Sequence, residues 1–419
     1  MTSAEKTIYV YANWNKHPPA LMGKLYVSAS RGKELFSFEY SRDWIRSAAE
    51  SFVFDPDLGL YEGRQYAPDK PLFGIFADSC PDRWGRLLMK RKEAILARKE
   101  KRKPRALRES DYLLGVYDET RSGALRFSLE ENGPFLAADK DLSAPPWTTL
   151  RTLETASLAF ENDDESAQEE KWLRQLLAPG SSLGGARPKA SVQAPDGSLW
   201  IAKFPSKHDE WNSGAWEIIA HDLAIICGLN APEAKLETFS FAGSTFLVKR
   251  FDRNQSRRIH FSSAMALLGK TDGDGTEGVS YLDIASFIKS NGALPKQDLR
   301  ELWQRIVFNM AISNSDDHLR NHGFLLTDSG WVLSPMYDVN PNIYGNTLSL
   351  NVSTDDNSIS FGLAIETAEY YGISVHEAKN AVADIQKTIC GNWQMLAADY
   401  GLSKGAIDRM EPAFIMEYK

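Results

Sequence analysis

The 419-residue chain has only three cysteines, Cys80, Cys227 and Cys390, too far apart for a CxxC pair or a disulfide framework. That excludes a secreted, disulfide-held scaffold, and a reducing cytoplasm is expected. Long apolar runs are also missing. The longest, Leu223 to Leu229, has the length of a buried helix segment, and no stretch approaches the ~20 residues needed to cross a bilayer. The first residues, Met-Thr-Ser-Ala-Glu-Lys-Thr-Ile-Tyr-Val-Tyr, lack a signal-peptide apolar core, so a soluble protein without a membrane partner is expected. Nor is there an excess of positive charge: the net charge of −8 argues against a surface that binds nucleic acid throughout, although charge can still segregate locally. Internal repeats and a Walker A Gly-Lys-Ser/Thr are absent. Apolar residues are plentiful, at 43% hydrophobic and 11% aromatic, enough for a sizeable core in two or three domains or lobes.

Short alternating runs at Thr7 to Ala12, Lys24 to Ser28 and Leu35 to Tyr40 predict an antiparallel sheet. From Asp82 to Arg108 the pattern becomes helical and basic, and Pro104 is expected to end or break that helix. Such a helix fits a nucleic-acid face or a solvated helix with a mobile, charge-rich end; the absence of interleaved aromatics favours the second. Glu161 to Glu170 reads as an exposed helix start or linker. Strands follow at 190–193 and 199–204, joined by Ala194-Pro-Asp-Gly-Ser, then a helix capped by Asn212 or Ser213 and stopped by Gly228 and Pro232. Another strand pair surrounds Ala242-Gly243, and helical periodicity dominates from Ser262. The order gives three parts: a β-rich N-terminal piece at 1–145, strands with one inserted helix at 146–258, and a helical half at 259–419.

The helical half carries Asn314-Ser-Asp-Asp-His-Leu-Arg-Asn-His-Gly, then Ser334-Pro-Met-Tyr-Asp-Val-Asn340. Asp316 and Asn321 have the separation of the base and the metal-binding Asn in the protein-kinase catalytic loop, and Asp338 follows where a second metal-binding group belongs. Phosphoryl transfer needs positioning and charge neutralisation more than covalent help. Mg²⁺ takes oxygen ligands and keeps several waters, so one amide oxygen and one carboxylate beside a triphosphate suffice. A carboxylate kept off the metal, here Asp316, can take the acceptor proton. Between these residues 323–326 and 331–333 read as a hairpin that returns Asp338 beside Asp316. Taken alone, such a cluster is also what an ordinary solvated loop contains, and Asp317 is read as a solvated neighbour.

A glycine-bearing loop, Ser181-Ser-Leu-Gly-Gly-Ala-Arg-Pro-Lys189, precedes a strand, where glycines let backbone N–H groups approach phosphate oxygens. Downstream, Lys203 ends a strand and Glu217 lies on the next helix, echoing the lysine and glutamate that hold nucleotide phosphates in kinases. Asp272-Gly-Asp-Gly-Thr-Glu-Gly is not a calcium loop, because the glycine required at its sixth position is Glu277. His260, His318 and His322 lack the spacing of a catalytic zinc site.

Together Ser182-Leu-Gly-Gly-Ala-Arg-Pro-Lys189, Trp200-Ile-Ala-Lys-Phe-Pro205, Val248-Lys-Arg-Phe-Asp-Arg253, Asp316-Asp-His-Leu-Arg-Asn321 and Tyr337-Asp338 resemble the HipA serine/threonine kinases, toxins of bacterial type II toxin–antitoxin pairs. Leu114 to Phe127 also looks like HipA-type N-terminal sequence. The resemblance implies an α+β, protein-kinase-like two-lobed fold with a β-rich N-terminal subdomain and a helical C-terminal lobe. It implies that ATP and Mg²⁺ are used, with Asp316 as base and Asn321 and Asp338 on the metal. Gly184, Gly185, Ala186, Arg187, Pro188 and Lys189 would form the phosphate loop with Lys203 on the phosphates. Lys249, Arg250 and Phe251 would form the adenine hinge, and His318 and Tyr337 would line the nucleotide site. Ser182 would be autophosphorylated, which in the family expels the loop; adjacent Ser181 leaves the position open. Implied partners are a protein substrate such as an aminoacyl-tRNA synthetase, a small helix-turn-helix antitoxin, and DNA indirectly through it. Lys249 departs from the acidic hinge residue of some relatives, and 260–269 lacks acidic and Gln residues that certain members carry. A nucleotide-binding co-repressor and a small-molecule kinase are the alternative readings.

Overall fold

The structure, a computed structural model, describes residues 5–14, 18–30, 32–47, 52–67, 70–136, 144–162, 176, 185–255, 257–271 and 278–414. Ser181, Ser182, Gly184, the Asp272 to Glu277 loop and most of the acidic 161–170 stretch lie outside the described residues. The chain folds as two compact units, Met1–Lys207 with Asp252–Thr271 and His208–Phe251 with Asp272–Lys419. No described helix is long and apolar enough to cross a membrane.

In the first unit the alternating runs form the expected sheet. Strands β1 (Lys6–Ala12), β2 (Ala20–Ser30) and β3 (Lys33–Tyr40) pair antiparallel. With β4 (Gln65–Tyr66) and β5 (Leu125–Ser128) the order is β4-β3-β2-β1-β5. Ile8, Val10, Leu25, Phe36 and Phe38 are buried. Phe76 packs its ring 5.3 Å from Phe38 and 6.3 Å from Phe127. Each such aromatic removes roughly 150–250 Å² from water, so this cluster outweighs strand propensity in holding the sheet.

Helix α1 (Arg83–Lys99) starts at Asp82, whose Oδ1 accepts the Gly85 N–H at 2.7 Å. It stops five residues before Pro104. Lys101 takes φ +51°, its N–H donates to the Arg98 carbonyl, and the Arg102 N–H donates to Ala97 at 2.9 Å. That is a Schellman ending closed by a lysine instead of the usual glycine, which is why the sequence carries no visible stop there. Beyond it, Glu93 accepts the Arg102 guanidinium and the Arg105 backbone N–H, the latter at 2.9 Å, while Arg105 also pairs with Asp111. The charge-rich end expected to be mobile is therefore tied down. Strands β6 (Lys189–Gln193) and β7 (Leu199–Lys203) form the expected hairpin, with Gly197 at φ +84° in its turn.

The second unit opens with α2 (Ser213–Ile226), capped as expected by Asn212, whose Oδ1 accepts the Ala215 N–H. Gly228 at φ +82° follows its end. Strands β8 (Ala234–Ser240) and β9 (Gly243–Lys249) form the next hairpin. Gly214 lets α2 approach β9, because a Cβ there would sit 2.1 Å from the Ser244 carbonyl oxygen. Helices α3 (Tyr281–Asn291), α4 (Pro295–Ala311) and α5 (Val375–Asp399) supply the remaining core. A capping box at Ser280 and Asp283 starts α3, and Pro295 starts α4 with its fixed φ. The hairpin β10 (Gly323–Thr327) and β11 (Gly330–Leu333) pairs Phe324 with Leu333 and Thr327 with Gly330.

Candidate active site

The loop between α4 and β10 is shaped by a tight chain reversal. Ser313 takes φ +51°, and the Asn314 N–H folds back onto the Asn309 carbonyl at 2.8 Å. Asp316 emerges exposed, while Asp317 turns inward and is only 3% exposed. The expectation of a solvated Asp317 is therefore overturned. Its Oδ2 accepts the Tyr281 hydroxyl at 2.6 Å, the Asn309 amide at 2.8 Å and His322 Nε2 at 2.9 Å. Burial alone would raise the Asp317 carboxyl; His322 and the Tyr281 hydroxyl outweigh it, and the net shift is downward. The same surroundings, burial first and then the Asp317 charge, push the Tyr281 hydroxyl well above its usual range. One carboxylate thus ties both ends of the Asp316–Asn321 loop to α3 and α4. Five-residue spacing between Asp317 and His322 was a faint signal; the partners Tyr281 and Asn309 left none.

Within the loop, Asn321 Nδ2 donates to the Asp316 carbonyl at 3.0 Å. Committing the amide nitrogen inward leaves the amide oxygen as the group's available donor atom. The Tyr337 hydroxyl donates to the Arg320 carbonyl at 2.6 Å, so Asp338 and Asn321 flank a hydrogen-bonded pair. Asp338 is half-buried at φ +58°, a conformation that Asp tolerates better than most residues. Behind Tyr337 stands Phe251, with ring centroids 5.6 Å apart, which joins the expected hinge segment to this loop. Lys249 pairs with Glu233 at 3.1 Å, and Arg250 is buried. His318 is half-buried, with Nδ1 shielded from solvent and without a hydrogen bond. On the other side of Asp316, Asn342 donates to Ser315 Oγ and Ser349 Oγ to the Ser315 carbonyl, both at 2.7 Å.

Among the described residues no group of three or more His, Cys, Asp or Glu could hold a metal ion. The donor set at issue is different, one amide oxygen and one carboxylate, and the inward-turned Asn321 nitrogen is the arrangement that leaves such an oxygen free for a hard cation. Asn321 and Asp338 would be the residues to hold a Mg²⁺, which completes its shell with phosphates and water.

The residues expected to form the phosphate loop belong to the first unit. Gly185 is exposed at φ +91°, and Ala186 is exposed. Arg187 Nε donates to the Phe204 carbonyl at 3.1 Å, and the buried Pro188 carbonyl accepts the Phe204 N–H at 2.9 Å. Lys189 is 2% exposed, with Nζ 3.0 Å from Asp82 Oδ2 and its carbonyl accepting Trp84 Nε1 at 3.1 Å. Its ammonium would touch a Cβ on Gly185 at 3.2 Å, so it lies close to that glycine. That supporting ion pair was not anticipated from the sequence. Lys203 is buried opposite Lys189 in the β6–β7 register.

The architecture is that of an α+β, kinase-like protein. Its fold matches the HipA of Shewanella oneidensis, solved in complex with HipB and its operator DNA, with a TM-score of 0.66 at 18% identity over 97% of this chain and 94% of that one. The chain belongs to the HipA-like family: the HipA-like C-terminal domain matches residues 181–393, just over half of its length. Among curated relatives, a putative kinase of Haemophilus influenzae is 34% identical over 140 residues, 29% of this chain and 40% of the relative. The putative kinase Y4mE of Sinorhizobium fredii is 28% identical over 182 residues, 38% and 41% of the two chains. The serine/threonine-protein kinase toxin HipA of Shewanella oneidensis is 24% identical over 315 residues, 65% and 69% of the two. The chain thus spans about two fifths of the length of the first two of these relatives.

Proposed function

We propose that the protein is an ATP- and Mg²⁺-dependent serine/threonine protein kinase of the HipA type. The observation that carries this reading is the Asn321 amide, anchored on the Asp316 carbonyl so that its oxygen remains for a cation, with the base carboxylate exposed beside it. In the proposed reaction the acceptor hydroxyl oxygen bonds to the γ-phosphorus, the bond from that phosphorus to the β–γ bridging oxygen breaks, and ADP leaves. Asp316 takes the hydroxyl proton. A cation held by Asn321 and Asp338 supplies neutralisation of phosphate charge. Phe251 and Tyr337 are the proposed aromatic surface on the adenine side, with the backbone of Arg250 and Phe251 at its edge, the Lys249 N–H being committed to the Glu233 carbonyl at 2.8 Å. The groups proposed to bind the phosphates are the backbone from Gly184 to Pro188 and the Lys203 ammonium. Ser182, or Ser181, is the proposed autophosphorylation site: roughly two added negative charges would repel ATP phosphates there.

The proposed acceptor is a translation protein of the aminoacyl-tRNA synthetase class. A small helix-turn-helix antitoxin is the proposed partner, joining the protein to DNA in a cytoplasmic complex. The test is transfer of labelled phosphate from ATP to the protein itself, with mass spectrometry of Ser181 and Ser182. Asp316→Ala should lower transfer roughly 10²–10⁴-fold with ATP binding retained. Undiminished transfer would refute the assignment of the base.

A further inference from the structure

The basic side chains around α1 have no role in the proposed phosphotransfer, and the charge of this segment is unlike that of the rest of the chain. From Arg83 to Arg108 there are twelve Lys or Arg against two Glu, a net of +10 in a chain whose total is −8. Nine of these twelve cations fall into two groups in the structure. Arg86 pairs with Glu109, Arg102 with Glu93 and Glu100, and Arg105 with Asp111, so these hold the segment in shape. Arg83, Lys90, Lys92, Arg98, Lys101 and Lys103 are all exposed, and no ion pair holds them among the described residues. Arg83, Lys90 and Arg98 follow each other at two-turn spacing on one side of the helix. Their separations of roughly 10–12 Å along the axis are comparable to the width of a DNA major groove. Lys101 and Lys103 continue the basic surface past the Schellman ending.

We infer that this surface binds double-stranded DNA directly through its phosphates. Three observations favour that occupant over others. The apolar side of α1 is packed, with Trp84, Leu88 and Ala97 buried, and the two exposed leucines, Leu87 and Leu96, lie on opposite sides of the helix, so no contiguous apolar face remains to enter a bilayer. The sole aromatic in the segment, Trp84, is buried, so bases of a single strand find no stacking platform. The ion pairs around Glu93 hold the surface ready-made, so little ordering entropy opposes docking on a regular array of phosphates.

The full-length protein is titrated against a fluorescent duplex of arbitrary sequence, about 24 base pairs long, by anisotropy at several salt concentrations. With five phosphates engaged, the log–log salt slope should be about −4.5, and affinity should fall roughly 500-fold from about 50 to 200 mM salt. Each of Lys90→Gln, Arg98→Gln, Lys101→Gln and Lys103→Gln should flatten the slope by about 0.9. Substituting Lys289, Lys296, Lys379 and Lys387 to Gln, all exposed elsewhere, should not change it. An unchanged slope in the combined α1 variant, equal loss in the control variant, no measurable binding at the lowest salt, or preference for single-stranded RNA or phosphatidylserine vesicles over the duplex would each overturn the inference. None of these readouts depends on kinase activity.

Discussion

Asp317→Asn tests whether the buried carboxylate holds the Asp316–Asn321 loop in place. The substitution keeps size and shape but removes the charge that three donors share at 2.6, 2.8 and 2.9 Å. A hydrogen bond to a charged group contributes roughly 1.5–3 kcal/mol and a neutral one about 1 kcal/mol, so the three bonds together should lose about 3 kcal/mol. That corresponds to a melting temperature lower by about 6–10 °C. Asp317→Ala, which strands all three buried donors, should cost about 3–5 kcal/mol. Because Asp316 and Asn321 hang from this anchor, a displacement of about 1 Å at the reacting groups should lower turnover roughly 10²-fold. The assays are thermal unfolding with and without ATP and Mg²⁺, and labelled phosphate transfer at saturating ATP. If Asp317→Asn melted and turned over like the unaltered protein, the reasoning would be wrong.

Two further outcomes follow from buried groups away from the loop. Asp55 is 1% exposed, and burial pushes its carboxyl up to about 6 despite backbone N–H groups from Asp57 and Ile75 that lower it. Its folded form holds a proton that the unfolded chain has already released above 3.8. The contribution is therefore complete below about pH 4 and lost as pH rises through 6, a change of about 3 kcal/mol. Urea unfolding at pH 4 and pH 7 should show the stability advantage of the unaltered protein over Asp55→Asn shrinking by that amount; a pH-independent difference would contradict it. Gly214→Ala should lower stability by at least ~2 kcal/mol, since the new methyl meets the Ser244 carbonyl at 2.1 Å and the helix must shift away from β9. Thermal unfolding checks this, and an unaltered midpoint would show that α2 yields freely.

What could be read from the sequence was what local chemistry encodes. Asn212 marks the start of α2 because its side chain caps the helix within three residues, and the β10–β11 hairpin follows from a two-residue turn that Gly330 closes at φ +130°. The HipA-like family was legible for the same reason, from motifs contiguous in the chain. The inward turn of Asp317 was not, because Tyr281 lies 36 residues away on another helix. Lys189 looked like a phosphate ligand from its motif, while its ion-pair partner Asp82 is 107 residues upstream. The end of α1 was misplaced because left-handed backbone at a lysine has no compositional mark.

The first unit is not continuous in the chain, since Asp252–Thr271 returns to it after 208–251 has entered the second. His260 stacks on Trp14 at 4.7 Å and lies near Phe54 at 6.0 Å, so part of that core is supplied about 250 residues after the first strand. At ribosomal rates of about 5–20 residues per second, Trp14 waits roughly 12–50 s for its partner. Until Ser128 has emerged the sheet still lacks β5, and from then until His260 emerges its aromatic cluster is unfinished. A fragment cut at residue 207 would keep that deficit permanently, while one beginning at 181 to match the family domain would carry His260 without Trp14, Phe54 or the sheet.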